Sequence, residues 1–266
     1  LIFNILLTSK IESSAILIVV YVFIAFVLTM FIGKLFTKFT GERFSHISYF
    51  MLTTCEGGNV ALPLYTSIVG VAYASNTVIF DLAGTLIAFV LIPIMVAKLN
   101  AGQTSPKELA KTIFTNSFVI AVILGLGLNL LGVYNMLAQT PFIDVYTNTI
   151  NMITGPIIGM ILFIIGYNLK INMDTLGSLL KLLIVRIVLF AFVIVGFFVF
   201  FPHLMADKIY MLAVLIYFMC PTGFALPMQI SPLFKSEEDN SYTAALISLN
   251  MVVTLIVYTV IVIFIV

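Results

Sequence analysis

Apolar residues dominate this chain in stretches of about 20, the length a bilayer-spanning helix needs, set off by short polar breaks. Reading the stretches between the breaks predicts eight full spans, at 13–33, 47–70, 75–97, 109–133, 147–168, 177–201, 209–230 and 242–266. The runs are too long for barrel strands and lack a period-2 alternation, so the predicted fold is all-α and polytopic. Leu1–Leu7 is apolar with no basic residues before it, which reads as the tail of a further helix and not as a signal peptide. The expectation is that the beginning of that helix precedes Leu1.

Two spans carry turn residues where a helix should run. Residues 55–65 read CEGGNVALPLY, and residues 220–228 read CPTGFALPM. A shift of 164 residues places Pro63 on Pro227, "ALP" on "ALP", Asn4 on Asn168, and the 13–33 and 75–97 spans on the 177–201 and 242–266 spans. Corresponding spans lie five helices apart, an odd number, so the two copies have opposite orientation. Inverted repeats with Gly/Pro-interrupted spans at matching places point to the binding site of a secondary transporter. The plainer reading is a kink or packing notch, since Gly and Pro are common in membrane helices. A helix broken within the bilayer exposes N–H groups on one half and carbonyls on the other. The first favours an anion and the second a cation. Two breaks meeting near the midplane would form a polar pocket suited to a small organic anion.

Composition agrees with the pattern: 62% of residues are hydrophobic and only 9% charged, against about 25% charged in soluble domains. Mean hydropathy is +1.22. A net charge of +1 excludes a polybasic nucleic-acid surface. Cys55 and Cys220 lie inside apolar stretches and read as small buried residues, not as a disulfide. If the loop after 13–33 is cytoplasmic, then Lys34, Lys38, Arg43, Lys98, Lys107, Lys111, Lys170, Lys181 and Lys235 all lie inside, with Lys10 and Lys208 outside. That asymmetry predicts a multi-pass cell-membrane protein with an extracytoplasmic carboxyl terminus.

The segments EGGNVALPLY (Glu56–Tyr65), VIFDLAG (Val78–Gly84), GPIIGMILFIIGYNL (Gly155–Leu169), CPTGFALPMQISPLF (Cys220–Phe234) and SYTAALISLNMVVTL (Ser241–Leu255) resemble the auxin efflux carrier family. This family includes plant PIN carriers and many bacterial permeases. The resemblance spans essentially the whole chain. It implies ten helices in two inverted five-helix repeats, with crossed, proline-broken fourth and ninth helices, so that the first helix and most of the second would precede Leu1. Residues 1–97 would then be the remainder of the first repeat, 98–108 a cytoplasmic linker and 109–266 the second repeat. It further implies that 13–97 and 177–266 form a moving transport unit with an elevator-like motion, and that a homodimer is a common assembly. The short linker argues against regulation by phosphorylation of a long central loop.

Asn59 and Pro63 in the first break, with Thr222, Gly223 and Pro227 in the second, are the expected substrate-facing residues. The Asn59 amide can donate to a carboxylate; it can equally cap a half-helix. Glu56 and Asp81 are the expected coupling or gating residues, for a proton or sodium ion, because intramembrane charge is costly and usually functional. Asp81 falls two turns into its span, close enough to an interface for partial hydration. Arg186 reads as a snorkelling side chain, with pairing to Asp81 or Glu56 as the alternative. Asn168 reads as substrate-facing or as a cap. Asn250 is carried by the resemblance, although with Ser248 and Thr254 it also reads as interhelical glue. His46 and His203 lie far apart, no metal-ligand spacing occurs, and no cofactor is expected. No HExxH pattern or aspartate pair points to an intramembrane enzyme. The predicted function is a secondary transporter for a small organic anion, a dicarboxylate such as malate or an auxin-like carboxylate. A cation/proton antiporter or sodium-coupled symporter of similar fold is the alternative, weakened because Phe80 precedes Asp81 and the final span contains no acid.

Overall fold

A computed structural model describes residues 2–8, 15–100, 117–168 and 173–265. Those residues are overwhelmingly helical, and no strand occurs among them. The helices used below are α1 (Ile2–Thr8), α2 (Ala15–Leu35), α3 (Leu62–Val69), α4 (Ser75–Leu86), α5 (Ile92–Asn100), α6 (Ser117–Leu130), α7 (Phe142–Asn168), α8 (Met173–Phe200), α9 (Lys208–Phe218), α10 (Leu226–Ile230) and α11 (Glu237–Phe264). A π-turn, Ile87–Leu91, joins α4 to α5 without interrupting the rod. Four rods are long and apolar enough to cross a membrane: Ile16–Leu35, Ser75–Leu99, Thr175–Phe200 and Glu237–Phe264. These mark the chain as a membrane protein.

The predicted 47–70 and 209–230 spans are discontinuous. The first runs as a 3-10 turn (Tyr49–Leu52), a non-helical stretch, a π-turn (Gly57–Ala61) and then α3. The second runs as α9, a non-helical stretch and then α10. Pro63 and Pro227 each stand in the first turn of the following half-helix. Proline's missing N–H costs nothing there and its fixed φ suits the helix. The prolines therefore start the second halves, and the chain breaks before them.

The main core gathers buried residues from 18–96 and from 179–261. Its centre is aromatic. Phe80 of α4 makes edge contacts with Phe197 of α8 at 5.4 Å and with Tyr217 of α9 at 5.3 Å. Phe218 joins Phe26 and Phe190 beside them. Two close helix contacts need glycine. A methyl on Gly196 would run into the Tyr21 ring, and one on Gly33 into Leu52. Away from this core, α1 lies on α6 and α7. The Asn129 amide donates to the Leu7 carbonyl at 2.8 Å, and the Tyr146 hydroxyl donates to Asn4 Oδ1 at 2.8 Å.

One end of the bundle is tied by polar contacts. Arg43 pairs with Glu238, and His46 Nε2 lies 3.0 Å from Asp239 Oδ2. The Ser178 hydroxyl donates to the Thr40 carbonyl, and Lys181 lies over the Phe39 ring at 5.4 Å. Near Lys208, the Tyr65 hydroxyl donates to the Ile209 carbonyl, and Asn76 donates to Tyr65. Lys10, Lys107, Lys111 and Lys170 lie outside the described residues, as does most of the 98–108 segment.

Candidate functional site

The two breaks touch. The Glu56 N–H donates to the Pro221 carbonyl at 2.7 Å. The Thr222 hydroxyl donates to the Thr53 carbonyl at 2.9 Å, and its oxygen lies 3.4 Å from that of Thr54. Thr54 adopts φ +48, the left-handed region where a β-branched residue is an outlier. Such strain costs about 1–3 kcal/mol and persists only where surrounding contacts hold it. Here the Thr54 carbonyl is held by Arg186 Nη2 at 2.8 Å.

Arg186 is the hub. Only 2% of it is exposed, and its guanidinium reaches both breaks. Nη1 donates to the carbonyls of Met51 at 3.1 Å and Thr53 at 3.2 Å. Nη2 donates to those of Thr54 at 2.8 Å and Cys220 at 3.1 Å, with Cys55 Sγ at 3.6 Å. Phe190 covers the guanidinium carbon at 4.3 Å. This corrects the expectation that Arg186 snorkels to an interface. The exposed carbonyls of a broken helix draw the charge inward, since each buried acceptor left unpaired costs about 1–3 kcal/mol. Pairing with Glu56 or Asp81 is also not what is seen. The two ion pairs among the described residues are Arg43–Glu238 and His46–Asp239.

The amide side of the crossover holds a carboxylate. Glu56 is 8% exposed. Its Oε1 accepts from the Asn59 amide at 2.6 Å and its Oε2 from the Phe224 N–H at 2.6 Å. Asn59 is thus neither free nor a cap; its amide binds an internal carboxylate. Asp81 comes from α4 to the same place. Its carboxylate occupies the space where Gly57 would carry a Cβ, and Tyr217 Oη lies 3.4 Å from Oδ1. Asp81 keeps partial exposure, but its neighbour is the break.

The other expected residues divide. Thr222 is buried in the crossing. Gly223 adjoins it, since a Cβ there would lie 3.7 Å from Thr54 Oγ1 and 4.0 Å from Glu56 Oε2. Pro227 is partly buried in α10, while Pro63 is exposed. Asn250 is buried in α11, where its carbonyl accepts from the Thr254 hydroxyl at 2.9 Å. Thr254 also donates to the Met219 carbonyl at 2.7 Å, tying α11 to the second break. Asn168 ends α7, and its side chain lies outside the described residues. Cys55 and Cys220 are free and buried. No group of three or more metal-ligating side chains occurs among the described residues.

Two participants were not singled out from sequence as site residues. Arg186 lies 132 residues along the chain from the Thr54 carbonyl it binds in the first break, and only the fold unites them. Gln229 follows Pro227 in α10, and its amide nitrogen and oxygen are both buried without a partner among the described residues. A polar side chain directly after a break was the signal available for it.

The crossing breaks, with Arg186 and Glu56 buried and Asp81 partly buried among them, define a helical membrane protein with a polar centre in an apolar bundle. No family model matches the chain, and neither a curated protein nor a solved structure matches it.

Proposed function

We propose that the chain is a secondary transporter for a small organic anion, a dicarboxylate such as malate or an auxin-like carboxylate. The observation that carries this reading is the carboxylate of Glu56, held by the Asn59 amide and the Phe224 N–H where two broken helices cross. Those donors suit a carboxylate, and a substrate carboxylate would compete with Glu56 for them. Gln229 adds an amide with donors and acceptor to spare. The shared core of 18–96 and 179–261 supports a moving unit carrying the crossover by an elevator-type motion past α1, α6 and α7. Inverted repeats, the auxin efflux carrier resemblance, a homodimer and a cell-membrane location with an extracytoplasmic carboxyl terminus belong to the same proposal.

A cation/proton antiporter or sodium-coupled symporter is the second reading, and Asp81 favours it. Its position against Gly57 puts a second acid beside Glu56, which the sequence spacing alone did not reveal. Ligand binding separates the two. A screen of organic acids against purified protein should find a dicarboxylate or aryl carboxylate that raises the unfolding midpoint of the wild type and not of Asn59→Ala. Stabilisation by sodium alone, with no response to any organic acid, would support the second reading and defeat the first.

A further inference from the structure

We propose that the carbonyl oxygens of Met51, Thr53, Thr54 and Cys220 form a monovalent-cation site that the chain fills with its own Arg186 guanidinium. Four carbonyls, three from residues 51–54 at the first break and one from Cys220 at the second, converge on one guanidinium, at 2.8–3.2 Å from its two terminal nitrogens. Carbonyl ends of helices carry partial negative charge and attract cations. In membrane proteins, unwound carbonyls at discontinuous helices are where alkali cations are coordinated. Here no carboxylate pairs with the arginine among the described residues, so backbone dipoles and the Phe190 ring meet its charge. The Cys55 sulfur completes the surround.

The consequence is a division of charge at the crossover. Arg186 satisfies the carbonyl side permanently, and Glu56 occupies the amide side. A tethered guanidinium leaves no room for a free cation among these four oxygens, so the folded protein needs none there. Removing the guanidinium exposes a cage that a small cation can enter. The inference rests on the crossing geometry and not on the identity of the cargo. Its test therefore reads stability and not flux.

The test uses the full chain in detergent micelles, with unfolding followed by a thiol-reactive fluorophore that reports exposure of Cys55 and Cys220. The wild-type midpoints in sodium, potassium and choline chloride at equal ionic strength are the reference, since they carry any cation bound elsewhere, as beside Glu56 and Asp81. Arg186→Ala should unfold at lower temperature. Methylguanidinium at about five times its dissociation constant should restore roughly 2–4 °C in that variant and nothing in the wild type. Sodium or potassium should also raise the variant's midpoint relative to choline by more than it raises the wild type's. Arg186→Gln keeps two amide hydrogens for the carbonyls without the charge, and should show the same alkali-cation response if Arg186→Ala does not fold. A wild type stabilised by methylguanidinium as much as the variant overturns the proposal, as do variants indifferent to every cation. Failure of both variants to fold, even when purified in methylguanidinium, overturns it as well.

Discussion

Gly57 is the tightest point of the crossover, because the Asp81 carboxylate lies where a side chain would begin. Gly58, one residue on, has only Asp81 Oδ2 at 3.9 Å. Gly57→Ala should therefore destabilise the fold by about 1–3 kcal/mol, while Gly58→Ala stays within about 1 kcal/mol of the wild type. Thermal unfolding of the pair checks this, and equal midpoints would mean that Asp81 does not rest against Gly57. Gln229 gives a two-sided prediction. Its buried amide is unpaired among the described residues, so Gln229→Leu should leave stability equal or higher. Under a substrate-contacting role, transport falls all the same. A loss of both would assign Gln229 to packing. Residues at this scale were only partly legible beforehand. Glu56, Asn59 and Thr222 stood out because polar groups are scarce in apolar runs. The adjacency of Asp81 to Gly57 joins residues of different helices, and nothing in their spacing encodes it.

The broken helices were visible as Gly, Asn and Pro inside apolar runs, yet the place of each break was not. Proline drew attention to positions 63 and 227, whereas the chain leaves helical geometry before them, around 53–56 and 219–225. The reason is local: proline is accepted in a first helical turn, so it marks a beginning. Arg186 was misjudged at this scale too. Its distance along α8 suited snorkelling, but the carbonyls left by the breaks offered it a better partner than the interface. The remaining long helices pack as their apolar composition led one to expect, with glycine at close approaches. Gly196→Ala would thrust a methyl into Tyr21, whose hydroxyl is fixed to the Val193 carbonyl at 2.7 Å. That substitution should cost about 1–3 kcal/mol, read as a lowered midpoint. An unchanged midpoint would show that α2 and α8 can separate freely at this point.

Across the whole molecule, hydropathy was enough to foresee an all-helical membrane protein, and four described helices meet the length and apolarity of a span. The grouping of 18–96 with 179–261 around one core is a long-range fact. No local pattern in the sequence encodes it. The two native thiols give a global check on how closed the centre is. Cys55 and Cys220 are both buried, so maleimide labelling of the folded protein should be slow and become rapid in denaturant. Rapid labelling of both in the folded state would mean an open crossover.

The central claim is that the crossing breaks move a small organic anion. Its most direct test is flux through purified protein reconstituted in liposomes, with labelled malate and an auxin-like carboxylate offered under a set membrane potential. The account predicts saturable uptake of one of these anions by the wild type, a loss of about tenfold or more in Asn59→Ala, matching about 1.4 kcal/mol or more of lost interaction, and equal membrane insertion of the two proteins. Movement of sodium or protons with no anion flux would contradict it.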